Sequence, residues 1–401
     1  MALASDSRNV WSGRVQDYHL QMDEIRTLLV RDIAATQVLF LRMAEAGRER
    51  LFWVDTRTAL MPGGHNGPYF DLESPVRNSS HWLATMAMAF KLTSDDSFRI
   101  AGAGLARYLE STSPSIDGGS VHRQRFPKDW TNGIIGPAWE SEGLALAGRH
   151  LGLESAAATG AATLRRLGFD EKRGLWRALD PATRSRAIDR TVNHQLYCTA
   201  IAAEYPDDPI LKERVERFIG VALPNLLRTD DSDILEHHVP ETPSQRLKHT
   251  AIARARSSVG PALRRAALSP GMVSDAAQRD RGYHLFSLYS AVRIARATDR
   301  PDVLSLPAIR RATAALPSLA AEQSYRKNCY TFGYNPPGFE LPYVALHGAT
   351  DPERGLAAAA RDALATQLDV SLDTETGLFT HSTGDPLTLA ARAFELGLLH
   401  A

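Results

Sequence analysis

The sequence predicts an all-α protein, an (α/α)6 toroid of six helical hairpins with short β-hairpin loops and one long insertion. Three observations carry that expectation. Helical periodicity comes in pairs separated by short polar turns. In most pairs the first helix is apolar nearly all round and the second is amphipathic, with Arg, Lys and Glu on one face. A buried inner helix and a solvent-facing outer helix differ in that way. The apolar helices start near residues 77, 134, 193, 283, 339 and 387, mostly about 50–60 residues apart, the mark of a repeated two-helix unit.

In chain order, residues 18–46 place Ile25, Leu28, Leu29, Ile33, Val38, Leu39, Leu41 and Met43 at helical spacing. This segment is the expected sixth outer helix, closing the ring against the last inner one. A short strand-like patch at 51–54 and a turn-rich loop at 62–69 follow. The pairs are 76–92 with 97–109, 134–150 with 155–167, 193–204 with 209–226, 283–297 with 303–321, and 339–347 with 352–368, before a last inner helix at 387–399. Residues 170–176 and 373–379 share the pattern D-x-x-x-G-L-aromatic, each between an outer helix and the next inner one, and read as tight hairpins. One gap is longer because of an insertion at 230–281, which begins acidic and turns basic at Arg246, Lys248, Arg254, Arg256, Arg264 and Arg265. It reads as a solvated helical flap, or as a lid or wall over an acidic substrate. Residues 1–401 are expected to form a single domain around this plan.

The totals exclude some classes. Lys and Arg number 46 and so do Asp and Glu, which argues against a nucleic acid or an anionic membrane as main partner. Cys198 and Cys329 make no disulfide framework and read as packing residues of a reducing compartment. Residues 1–10 lack a basic region followed by an apolar run, and no stretch approaches the ~20 apolar residues of a membrane span. The expected location is therefore the cytoplasm. There is no P-loop, no G-x-G-x-x-G after a strand, no H-E-x-x-H and no C-x-x-C, so no cofactor and no metal is expected.

In a toroid the inner helices run parallel, so the loops before them converge on one mouth and their N-terminal dipoles favour an anionic ligand. The six junctions carry Arg77, Asn78 and His81; Lys128, Asp129, Trp130 and Asn132; Asn193 and His194; Arg281, Tyr283 and His284; Tyr334, Asn335 and Glu340; and His381. Glu142 lies early in the second inner helix. Singly, these residues cap helices, shape turns or satisfy a core. Six such clusters around one mouth make a sugar cleft, where rings stack on pyranose faces and polar groups read hydroxyls.

The repeat plan and the D-x-x-x-G-L-aromatic hairpins resemble the α/α-toroid carbohydrate-active enzymes, six-hairpin glycosidases and several polysaccharide lyases, across roughly residues 75–400. Asn193-His194 followed by Tyr197 is similar to the Asn-His pair of alginate-lyase-type enzymes, and Tyr283-His284 to their Tyr-His helix start. The resemblance implies β-elimination on a uronate. Asn193 and His194 would neutralise the carboxylate, and Tyr283 with a nearby arginine would move the protons. The family's arginine position falls on Ala276 here, so Arg279 or Arg281 takes that place. The expected function is lyase cleavage of an acidic glycan. The first alternative is a six-hairpin hydrolase, such as an unsaturated uronyl hydrolase, working through Asp129, Glu140, Glu142, Asp280 or Glu340. The second is a sugar epimerase using His194, His284 and His381. The expected partner is an acidic carbohydrate, and the sequence leaves the oligomeric state open.

Overall fold

The computed structural model describes residues 35–112, 120–124, 128–179, 186–240, 271–348 and 354–400. The first helix, α1 (Thr36–Arg48), precedes a small hairpin of β1 (Phe52–Trp53) and β2 (Ala59–Leu60). Two helix pairs follow: α2 (Val76–Thr93) with α3 (Asp96–Thr112), and α4 (Ile135–Leu151) with α5 (Glu154–Arg166). A three-stranded sheet comes next, β3 (Gly168–Asp170), β4 (Leu175–Leu179) and β5 (Arg186–Ile188). Then come α6 (Val192–Ala202), α7 (Pro209–Arg217) and, beyond a π turn, α8 (Leu223–Leu226). The last part holds α9 (Gly271–Ala297), α10 (Pro307–Ala321), α11 (Gln323–Arg326), α12 (Pro337–His347) and α13 (Arg354–Ser371). A hairpin of β6 (Leu372–Asp373) and β7 (Leu378–Phe379) leads to α14 (Pro386–Ala391) and α15 (Phe394–Leu398).

The ring closes. Successive contacts run α2–α4–α6–α9–α12–α15 and back from α15 to α2, while α1 packs on both α2 and α15. The N-terminal helix thus holds the sixth outer position, although residues 18–34 of the expected helix lie outside the described ones. The inner helix α4 is buried without a break from Ile135 to Ala147. Its outer neighbour α3 buries one face through Phe98, Ala101, Leu105 and Leu109. That contrast is the sequence pattern made physical: only an element surrounded by other helices can hide its whole circumference. The two predicted hairpins are present. Asp170 pairs with Leu175 and Asp373 with Leu378, and Gly174 and Gly377 turn with φ of 67° and 69°, a left-handed conformation that glycine adopts without strain.

Three elements differ from expectation. The strand β5 pairs with β4 and extends the first hairpin to three strands. The last inner helix breaks at Arg392 and Ala393 into α14 and α15. The fourth inner helix starts at Gly271 rather than near 283, so the stretch 279–284 is helix and not a loop. Gly282 looks like a boundary in the sequence. In the structure a Cβ there would lie 2.4 Å from Cβ of Tyr330, so the glycine admits a close approach and does not end a helix. Residues 241–270 of the expected insertion lie outside the described residues. Among the described residues, no helix is long and apolar enough to cross a membrane.

Candidate active site

A cavity of about 230 Å³ opens at the N-terminal ends of the inner helices. The loop before α2 supplies Asn66, held at φ 59°, which asparagine tolerates. Its Oδ1 accepts from Nη1 of Arg77 at 3.1 Å and from the Tyr334 hydroxyl at 2.7 Å. Arg77 is ion-paired with Glu73 at 3.2 Å and lies 3.7 Å above the Trp139 ring. On the next wall Arg123 pairs with Asp129 and donates to Asn132 Oδ1 at 2.7 Å, and Lys128 donates to Asp71 at 2.6 Å. Arg279 and Tyr283 share one face of α9, one turn apart, and both line the cavity. Arg392 reaches in from between α14 and α15. Five cations therefore line the cavity, and among the described residues no carboxylate does.

The start of α6 is the most specific piece of geometry. The stretch before it pairs with residues 237–239: Val192 N–H donates to the His237 carbonyl at 2.8 Å, and Val239 N–H to that of Arg190 at 2.9 Å. This ladder sets Thr191, Asn193, His194, His237 and His238 on one wall. Asp189 is buried beneath it. Its Oδ2 accepts from the His194 ring Nδ1 at 3.0 Å and from the Ile134 N–H at 3.2 Å, and its Oδ1 from the Thr191 N–H at 3.0 Å. Burial alone would raise this carboxyl. His194 and the two backbone donors outweigh it and hold Asp189 below the usual carboxylate range. An ionised Asp189 accepts the ring N–H at Nδ1, so Nε2 is the His194 nitrogen turned away from the carboxylate.

The neighbouring groups are tuned by burial. His237 stacks on Tyr283 with ring centroids 4.7 Å apart. Burial, with His194, His238 and Arg279 nearby, pulls it down to about 3, so it is neutral. The Tyr283 hydroxyl bonds that of Tyr69 at 2.8 Å. Both phenols are pushed well above the ordinary tyrosine value, chiefly by burial, so they remain protonated donors.

The structure gathers part of the residue set expected from sequence. Asn132, Asn193, His194, Tyr283, Tyr334 and Asn335 line the cavity. The others do not. Arg281 turns away and pairs with Glu322, so Arg279 is the arginine beside Tyr283. Asn78 is tied to the Pro62 carbonyl at 2.8 Å, and His81 is packed between Trp139 and Phe394. Asp129 is spent on Arg123 and on the Gly133 N–H, and Trp130 stands half exposed beside it. Glu142 is bound by Tyr197 and Arg293, and Glu340 by Arg392. The residues not expected are Asn66, Tyr69, Arg123, His237, His238 and Arg392, while Arg77 and Lys128, which belong to the expected junctions, also line the cavity. The adjacent histidines after the acidic loop at 230–233 were the available signal.

His284 is a structural residue. Its Nδ1 accepts from the Leu235 N–H at 3.0 Å and its Nε2 donates to the Ala312 carbonyl at 3.1 Å. Burial pulls it down to about 4, against an opposing effect of the Ala312 bond. A folded value below the unfolded one means that its contribution is complete above about 6.5 and is lost as pH falls towards 4. The expected loss is roughly 3 kcal/mol of stability by pH 4. Urea midpoints of the wild type and of His284→Gln across that range test this, and the variant should show the shallower decline.

No family model matches the chain. Archaeal glycosylation protein Q of Haloferax volcanii is 34% identical over 346 residues, which cover 84% of this chain and 90% of that one. Cellobiose 2-epimerase from Spirochaeta thermophila superposes with a TM-score of 0.60 at 13% identity, over 94% of this chain and 96% of its own. An unsaturated glucuronyl hydrolase specific for heparin gives 0.58 at 13% identity, over 91% and 95%. At that identity the two structures establish the fold alone, an α/α toroid.

Proposed function

The chain belongs to the family of archaeal glycosylation protein Q, and from that premise we propose that it is an enzyme moving a proton on a carbon of an anionic sugar, an epimerase or isomerase of glycan assembly. The observation that carries the reading is the Asp189–His194 dyad in a cavity lined by cations and by no described carboxylate. Hydrolysis of a glycosidic bond, or hydration of an unsaturated one, draws on carboxyl groups at the sugar. Here Asp71, Glu73, Asp129, Glu340 and Glu395 stand behind the cations and are occupied by them. Proton abstraction beside a carboxylate or carbonyl needs a base and a stabilised oxyanion. Nε2 of His194 is the base. Arg279 and the Tyr283 hydroxyl face the oxygen on which charge develops, and the guanidinium of Arg77 or Arg392 holds the sugar's own anion. Return of that proton by His194 to the neighbouring carbon isomerises the sugar, whereas inversion takes a proton from water on the opposite face while His194 gives its proton up to solvent. The relative's name places it in glycosylation, and a rearrangement of a sugar suits assembly where cleavage opposes it.

The lyase reading keeps one specific support, the pairing of Arg279 with Tyr283 on one helix face. Its first step is the same abstraction. It then requires expulsion of a leaving oxygen and leaves a conjugated double bond. A panel of uronic acids and uronate oligosaccharides incubated in D2O separates the readings. The proposal expects deuterium incorporated at one sugar carbon and a new stereoisomer, without ultraviolet absorbance of a conjugated alkene. Growth of that absorbance means elimination, and release of reducing ends without exchange means hydrolysis.

A further inference from the structure

A second observation in the same cavity concerns charge at its floor, and it deepens the reading of an anionic-sugar site on which it rests. Arg392 is buried yet lines the cavity. Its Nε donates to Glu395 Oε1 at 2.6 Å and its Nη2 to Glu340 Oε1 at 2.7 Å. The other oxygens of both glutamates are closed off and have no partner. Two carboxylates on one guanidinium leave one negative charge in excess. Among the described residues nothing facing them corrects it. Arg293 is matched by Glu142 and Glu204, and Arg77 by Glu73. His81 is held far below its ordinary value by burial and then by Arg77 and Arg392, so it is neutral. Tyr197, Tyr289 and Tyr325 are held protonated, by burial first. A lone ionised carboxylate in such a place is strongly disfavoured, and a shared proton is the usual resolution. The direction agrees. Burial pushes both glutamates up against the pull of Arg392, and Glu395 reaches about 7.

We propose that Arg392 is the carboxylate subsite of the cavity and that the Glu340–Glu395 pair takes up a proton when an anionic sugar binds there. Among the described residues, Nη1 is the nitrogen of Arg392 left without a protein partner. An anion placed on it brings a further negative charge to a guanidinium already shared by two carboxylates, and protonation of the pair relieves that. The sign follows. Binding raises the proton affinity of the pair, so uptake appears at neutral and higher pH, where the free pair has begun to lose its proton. It vanishes in acid, where the free pair already holds the proton. Affinity for an anionic sugar therefore falls as pH rises through neutrality, and affinity for the corresponding methyl ester does not.

Calorimetric titration with D-glucuronate, D-galacturonate and D-mannuronate tests this at pH 7.5 in buffers of different ionisation enthalpy. The dependence of heat on buffer gives the protons taken up. The wild type is expected to take up a large fraction of one proton, on the order of 0.5–1. Glu395→Gln and Glu340→Gln copy the protonated shape, so each should bind the uronate with little uptake and with a Kd nearly constant between pH 6 and 8. Either variant suffices for the comparison should the other fail to fold. His194 and His237 are unchanged in both, so any contribution from them subtracts. Uronate binding with no uptake in the wild type, or with equal uptake in wild type and variants, overturns the proposal and leaves the anionic-sugar reading standing. Absence of binding by any uronate removes that reading and the proposal with it.

Discussion

Replacing His194 by alanine is expected to lower turnover by about 10²–10⁴-fold, the range that a positioned general base supplies, with the thermal midpoint little changed. The side chain is 22% exposed and makes one ion pair, with Asp189, so its loss touches little packing. Asp189→Asn is the sharper variant. The carboxylate fixes the proton on Nδ1, and an amide at the same place presents either a carbonyl or an NH2 group to the ring. If its NH2 group faces Nδ1, the ring proton moves to Nε2 and the base is lost with the geometry intact. A drop within the same range is expected, accompanied by some loss of stability because Asp189 also accepts from Ile134 and Thr191. Deuterium wash-in at the sugar carbon is the measurement, since it reads proton abstraction whether or not product forms. Retention of exchange in both variants would mean that the base is another group on the wall, and His237, held neutral beside it, is the next to change.

The fold was legible because its signal is repetitive. An inner helix such as α4 has to be apolar on all sides, and six such segments with amphipathic partners describe a ring before any contact is known. Most of the legible part of the site coincides with a helix start; Tyr283, inside α9, was found through its resemblance to a Tyr-His motif. Asn193 and His194 were found because α6 begins at Val192 and its first turn faces the mouth. His237 and His238 come from an irregular segment and reach the cavity through backbone pairing with residues 190–192. That pairing leaves no periodic trace in the sequence. Arg392 was missed for another reason. A buried arginine is read as misplaced unless its carboxylate partner is known. Glu395 follows Arg392 by three residues, but Glu340 is distant in sequence. Glu142 and Glu340 show the converse error. Carboxylates near a mouth suggested catalysis, whereas each is consumed by an arginine from another inner helix.

The largest expected effect on stability is at Arg293. It is buried on α9, ion-paired with Glu142 of α4, 3.4 Å from Glu204 beyond α6, and lies between the rings of Tyr197 and Tyr289. One side chain thus joins three of the inner helices. Arg293→Met keeps most of the volume and removes the charge, leaving Glu142 with the Tyr197 hydroxyl as its remaining hydrogen-bond partner. The expected cost is about 3–5 kcal/mol, read as a lowered urea midpoint, because an uncompensated buried charge costs more than the pair contributed. Glu204 fares better, since Arg149 holds it from the other side at 2.7 Å. Adding Glu142→Gln to Arg293→Met should therefore restore much of the loss, and a double-mutant cycle measures how much. Activity supplies a second readout. Tyr197 stacks on Phe286 at 5.1 Å, and Phe286 lines the cavity, so a shift of Tyr197 is transmitted to the substrate's side of the ring. The single variant should raise KM more than the double one. If the single variant is as stable as the wild type, the interior ions are not what aligns the inner helices, and the ring is held by its apolar packing alone.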